Sequence, residues 1–198
     1  MYPFFESIRV LDGAVISLDA HQQRVDSCLR DHNGQALFLK EIQKSISFPA
    51  NGLYKWRLQY SLDGLYFSEL LAYRPKLPSQ IELVAADLLQ YSYKFQDRGL
   101  INTLLAKSQA SDIIMIKYGR ITDASYSNLV FFDGKHWVTP LLPILKGTQR
   151  SLLLEKKIIH LKEIGPEDLK LYSHFKRINA MMPFNESPIL ITKDIIAF

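Results

Sequence analysis

The chain has 198 residues, 47% of them hydrophobic, a formal net charge of +4 and a pI of about 9.0, enough apolar material for one large domain or two smaller lobes with real cores. No apolar run reaches the roughly 18 residues of a membrane span, the start lacks the basic and apolar segments of a secretory signal, and the single cysteine, Cys28, excludes an intramolecular disulfide; a cytoplasmic protein is expected. The basic side chains are dispersed, so nucleic acid is not an expected partner, whereas a small anionic ligand suits the charge.

Residues 4–18 alternate, with Phe5, Ile8 and Val10 before a turn at Asp12-Gly13 and Val15, Ile16 and Leu18 after it, which predicts a hairpin. At Asp19 the period changes. Asp19 is placed to N-cap a helix with Val25, Cys28 and Leu29 on one face, ended by Asn33-Gly34. Residues 36–45 read as a second helix, and residues 54–60 and 65–73 as a hairpin around Asp63-Gly64. Two prolines among polar residues at 74–79 predict a linker between a smaller N-terminal α/β lobe, 1–75, and a larger C-terminal lobe, 80–198.

The second lobe opens with a strand at 81–86, then a helix at 99–111 with Leu100, Leu104 and Leu105 facing inward. Residues 113–117 and 120–132 read as strands, and 137–139 closes a hairpin across Asp133-Gly134. Gly147 opens a helix over 151–159, broken at Gly165-Pro166. A short helix starts at Pro166, and strands are expected at 176–180 and 188–192. The class is α+β, or mixed α/β, in two lobes.

Five scattered histidines without ligand spacing argue against a metal enzyme, and neither a Walker A sequence, G-x-G-x-x-G nor G-x-S-x-G is present. Four features carry chemistry. Asp123 is a carboxylate inside an apolar strand. "LKGTQRSLLLEKK" places Gly147, Thr148 and Gln149 at a helix start, where free N–H groups and the helix dipole suit an anion. "DAHQQRVDSCLRDHNG" sets His21, Arg24 and Asp26 on one helix, and Lys94 lies in "YSYKFQDRG". Taken singly, a capped helix and solvated or locally paired side chains explain each.

Together these segments resemble the class IV, or fold-type IV, pyridoxal-phosphate enzymes, which include branched-chain and D-amino-acid aminotransferases and aminodeoxychorismate lyase. "FFESIRVLDGAVISLDAHQQRVDSC", "YKFQDR", "ITDASYSNLVFF", "VTPLLPILKGTQRSLLLE" and "INAMMPFNESPI" look like five family blocks in the family's order, with Asp123 where the family usually has Glu. The resemblance implies a two-lobed fold with the cofactor between the lobes, a small-molecule substrate, a homodimer, and no metal, membrane or nucleic-acid partner. It makes Lys94, in the larger lobe, the Schiff-base lysine and proton shuttle, and Asp123 the partner of the pyridine nitrogen that keeps the ring an electron sink. Arg24 would grip the phosphate. Gly147, Thr148 and Gln149 would cup it from the helix start. Asn179 would lie beside the phosphate, and Ser7, Arg98, Asn128, Ala180 and Met181 would face the substrate or brace the site.

Two reactions share α-proton removal by the lysine and then diverge. Arg98, four residues after Lys94, resembles the K-x-x-(N)-R form of the lyases, "NAMMP" is close to their N-A-L-M-P, and Ser7 offers a hydroxyl to the leaving side. The reading is a lyase converting 4-amino-4-deoxychorismate to 4-aminobenzoate and pyruvate in folate synthesis. A class IV amino-acid aminotransferase, of branched-chain or D-amino-acid type, is the alternative, and a non-catalytic relative that binds pyridoxal phosphate is a second.

Overall fold

The computed structural model describes residues 2–196, which form two compact units. The first comprises Met1–Pro75 with Tyr93–Asp97. Its elements are β1 (Phe4–Leu11), β2 (Ala14–Val15), α1 (Leu18–Asp31), α2 (Leu39–Lys44), β3 (Leu53–Tyr60) and β4 (Tyr66–Ala72). The strands make an antiparallel sheet in the order β2-β1-β3-β4. Asp12 and Gly13 both take positive φ, as the two-residue turn between twisted strands requires. Strand alternation turns Phe4, Ile8 and Val10 inward, where they meet Val25 and Leu29 of α1 and Trp56 and Leu58 of β3 in one core. Ser17, not Asp19, occupies the N-cap of α1, in a left-handed conformation and without a side-chain cap; Asp19 lies in the first turn, where its charge complements the helix dipole. The second helix is shorter than its sequence pattern, Leu39–Lys44.

The segment Tyr93–Asp97 joins this unit by backbone pairing. Phe5 N donates to Lys94 O at 3.0 Å, Gln96 N donates to Pro3 O at 2.8 Å, and Phe4 bridges Phe95. β1 therefore receives β2 at one end and residues 93–97 at the other. Lys94, expected in the C-terminal lobe, belongs structurally to the N-terminal unit, because these long-range hydrogen bonds outweigh its place in the chain.

The second unit comprises Lys76–Ser92 and Arg98–Phe198. Its elements are β5 (Ile81–Ala85), α3 (Gly99–Lys107), β6 (Asp112–Lys117), β7 (Arg120–Ala124), β8 (Asn128–Phe132), β9 (Trp137–Pro140), α4 (Thr148–Glu155), β10 (Ile159–Lys162), β11 (His174–Ile178), β12 (Leu190–Ile191) and β13 (Ile195–Ile196), with 3-10 turns at Pro166–Leu171 and Thr192–Asp194. The mixed sheet runs β10-β9-β8-β7-β6-β5-β13, and β11 pairs with β8 and β12. β6 is an apolar run buried through Ile113, Ile114, Met115 and Ile116, as a central strand with a parallel neighbour should be.

Three boundaries differ from the sequence pattern. Residues 120–132 are two antiparallel strands, split by a turn at 125–127 in which Ala124 N donates to Ser127 O at 2.9 Å, so Asp123 stands at a strand end opposite Asn128. The helix after Gly147 ends at Glu155, and "IHLK" pairs in parallel with β9 instead of extending it. In α3, which ends at Lys107, the fully buried side chain is Ile101, while Leu100 is exposed. Among the described residues no helix is long and apolar enough to cross a membrane.

Candidate active site

The N-terminal unit gathers charge around β1. Glu6 is fully buried, a position carboxylates occupy only when paired. Arg24 donates through Nε to Glu6 Oε1 at 2.8 Å and through Nη2 to Oε2, a two-pronged clamp, and His21 donates through Nδ1 to Oε2 at 2.7 Å. Burial alone would raise the Glu6 pKa; the Arg24 charge and the two donors outweigh it and hold the carboxyl down at about 2. His21 is pushed the other way. Burial disfavours its imidazolium, and with the charges of Arg24 and Lys94 this outweighs what Glu6 does to favour it. Its Nε2 is buried with no hydrogen-bond partner among the described residues. Lys94 Nζ lies 4.6 Å from the centroid of the Phe5 ring, a cation held over an aromatic face. Thus Arg24, His21 and Lys94 share one region of this unit, and Glu6 fixes the direction of Arg24. Ser7, next along β1, is part-buried opposite Arg57.

The C-terminal unit gathers the other set. Asp123 is 4% exposed, and both its carboxylate oxygens are held: Oδ1 accepts from Asn128 Nδ2 at 2.6 Å, and Oδ2 from Leu145 N at 2.9 Å. Burial pushes its carboxyl up to about 6, against these two donors and the more distant charge of Arg150. No ion pair reaches it among the described residues. Gly147 follows two residues later and caps α4. The first intrahelical bond of α4 is Ser151 N to Gly147 O, at 3.0 Å, so the N–H groups of Thr148, Gln149 and Arg150 have no intrahelical acceptor. Arg150 itself is buried and donates to Thr139 Oγ1 and to the carbonyl of Pro140.

The turn at 125–127 draws in the remaining residues. Arg98 Nη2 donates to Ser125 O at 2.6 Å, and its guanidinium lies 4.1 Å from the Tyr126 ring centroid and 5.7 Å from that of Tyr91. Asn179 donates to Tyr126 O at 3.1 Å, and its Oδ1 accepts from Met181 N and Met182 N, both at 2.9 Å. The Asn179 side chain therefore organises the 179–182 turn that carries Ala180 and Met181. Ser125 is anchored by Asp112, which also pairs with Arg177 from β11. Sequence reasoning missed Glu6, Asp112, Ser125, Tyr126, Leu145 and Arg177 as parts of the site, and His21 as a partner of Glu6. Only Glu6 carried a visible signal, a carboxylate at an inward position of an alternating strand.

These groups suit pyridoxal phosphate. A buried carboxylate that lacks an ion-pair partner is matched by a protonated ring nitrogen, a helix start with unpaired N–H groups by a phosphate, and a lysine by an aldehyde. Comparison with known proteins agrees. The family model described as amino-transferase class IV matches residues 3–184. An uncharacterized protein of Haemophilus influenzae is 37% identical over 186 residues, which are 91% of this chain and 98% of that protein. A crystal structure from Haemophilus somnus 129pt, of a candidate 4-amino-4-deoxychorismate lyase, has a TM-score of 0.86 and 34% identity over 93% of this chain and 98% of that one. A hypothetical aminotransferase from Mycobacterium tuberculosis, in its form with bound pyridoxal phosphate, shares the fold with a TM-score of 0.74 and 16% identity over 95% of this chain and 79% of its own. The chain belongs to the class IV aminotransferases, and is an enzyme of that pyridoxal-phosphate-dependent family, with candidate 4-amino-4-deoxychorismate lyases among its relatives in structure.

Proposed function

We propose that the chain is a lyase that converts 4-amino-4-deoxychorismate to 4-aminobenzoate and pyruvate, for folate synthesis. The observation that carries this reading is the likeness to the Haemophilus somnus protein over 93% of the chain. Arg98 supports it. A planar guanidinium placed beside the Tyr126 and Tyr91 rings suits a substrate carboxylate better than a flexible ammonium would.

Bound pyridoxal phosphate supplies a covalent seat for the substrate amine and a ring that takes up the electron pair left when the adjacent C–H bond breaks. In this reading Lys94 would hold the cofactor through Nζ, and its free amine would take the proton from the carbon bearing the substrate amine. Asp123 keeps a proton on the ring nitrogen. Arg24, aimed by Glu6, would be the phosphate ligand of the N-terminal unit, and the first N–H groups of α4, with Gly147, Thr148 and Gln149 forming the helix start, would be that of the C-terminal unit. Arg98 orients a carboxylate, and Ser7 is the candidate donor to the departing ether oxygen. Loss of the C–O bond at the neighbouring carbon leaves enolpyruvate, which becomes pyruvate as its proton moves from the enol oxygen to carbon, and an amino-substituted ring that is aromatic. As part of the same reading the enzyme works in the cytoplasm as a homodimer, which sedimentation equilibrium tests.

The test is to supply the protein with pyridoxal phosphate and either 4-amino-4-deoxychorismate or an amino acid with a keto-acid acceptor. Pyruvate release from the first, absent in Lys94→Ala, is the expected result. Amino-group transfer to the keto acid, with no pyruvate from the first, would replace this reading with the aminotransferase.

A further inference from the structure

Asn128 lies on β8 directly opposite Asp123 and is 6% exposed. Its amide has two N–H groups, and both are engaged: Nδ2 donates to Asp123 Oδ1 at 2.6 Å and to Leu145 O at 2.8 Å. Leu145 returns its own N–H to the other Asp123 oxygen at 2.9 Å. The three residues close a ring of hydrogen bonds. Because both neighbours of Nδ2 are acceptors, the amide orientation is set, and Oδ1 must point the other way. There it meets Gly147. A Cβ built on Gly147 would lie 2.0 Å from Asn128 Oδ1 and 3.2 Å from Cγ. Gly147 has φ −71°, which any residue adopts, so glycine is needed for room and not for backbone freedom.

We propose that Asn128 is a positioning residue and not a substrate contact: its one amide ties the Asp123 carboxylate to the 145–147 segment, and so sets the carboxylate that meets the cofactor ring at a fixed distance from the helix start that meets its phosphate. The inference rests on the cofactor roles of Asp123 and α4 and is independent of which reaction follows. It also gives Asp123 a physical fit despite being one methylene shorter than the family's glutamate: the amide and the Leu145 N–H hold the short carboxylate at both oxygens. The Arg98 and Asn179 side chains bond instead to the carbonyls of Ser125 and Tyr126.

The test is a coupling cycle on the cofactor-free protein with Asn128→Ala, Gly147→Ala and the double variant, read by urea unfolding. Gly147→Ala should lower the midpoint, and that loss should vanish in the Asn128→Ala background, where the colliding amide is gone. An equal loss in both backgrounds would overturn the proposal. If Asn128→Ala does not fold, Asn128→Ser, which also frees the space, carries the same cycle. A second readout separates positioning from substrate contact. In the cofactor-free protein, carboxyl NMR should find that Asn128→Ala moves the Asp123 titration upward from about 6, since a donor is lost while the charge of Arg150 remains. Affinity for pyridoxal phosphate alone should weaken about tenfold. An unchanged Asp123 titration and cofactor affinity, with KM for substrate raised, would make Asn128 a substrate residue and sink the proposal. The unfolding cycle, the Asp123 titration and the cofactor affinity do not depend on the lyase reading; only the KM comparison needs an identified substrate.

Discussion

Replacing Asp123 with asparagine tests the electrostatic design of the C-terminal half-site. The native carboxyl sits at about 6, against 3.8 for a solvated aspartate, chiefly because burial penalises its charge. Between those two values the folded chain keeps a proton that the unfolded chain has released. Stability from this group is therefore complete below about pH 4, falls as pH rises towards 6, and is flat above. The fall is worth about 3 kcal/mol as an order of magnitude. Asp123→Asn cannot titrate, so its stability should lack that decline. Its absolute stability is a poorer readout: the new NH2 would face Asn128 Nδ2 or Leu145 N, a donor against a donor, at a cost of roughly 1–3 kcal/mol that opposes the gain from removing a buried charge. The assay is urea unfolding of the cofactor-free native and variant proteins from pH 4 to 8, plotted as their difference, in which other carboxylates cancel. A difference that does not change with pH would refute the reasoning.

Glu6→Gln should destabilise the protein by about 3 kcal/mol at neutral pH, since a carboxyl held at about 2 stabilises the fold above its ordinary range and loses that contribution as pH falls towards 2; unfolding curves of native and variant should converge in acid. The same substitution should weaken pyridoxal phosphate binding, because Arg24 loses the partner that aims it, and a cofactor titration checks this. Arg177→Met should cost about 3–5 kcal/mol by leaving Asp112 buried and unpaired, and Asp112→Asn in addition should restore part of it, as measured by thermal unfolding. Arg98→Lys should raise KM for 4-amino-4-deoxychorismate about tenfold with cofactor affinity unchanged, because an ammonium cannot reproduce the planar fork that lies 4.1 Å from the Tyr126 ring centroid; steady-state kinetics beside a cofactor titration reads both.

Local signals in the sequence located most elements. Asp12-Gly13 and Asp63-Gly64 marked hairpins, and both hairpins form. What local pattern could not disclose was pairing at a distance. Residues 93–97 have weak strand character of their own and join the N-terminal unit only because β1 offers unpaired backbone beside Phe5. The 125–127 turn contains no glycine or proline, and breaks the strand where Ser125 bonds to Asp112. "KKIIHLK" continues an apolar run that serves a helix or a strand equally, and the free edge of β9 decides for the strand. At the site, Lys94, Arg24, Asp123 and Gly147 stood out through the family's spacing. Their supports did not: Glu6 with His21, 15 residues apart, Asn128 with Leu145, 17 apart, and Asp112 with Arg177, 65 apart, become partners only in three dimensions.

The most direct test of the account is to incubate native protein and Lys94→Ala with pyridoxal phosphate and 4-amino-4-deoxychorismate, and to measure 4-aminobenzoate and pyruvate in the same reaction. The account predicts that native protein releases the two in equal amounts and that Lys94→Ala, folded to the same extent by circular dichroism, releases neither above background. Release that survives in Lys94→Ala, or native protein loaded with cofactor that yields neither product, would contradict it.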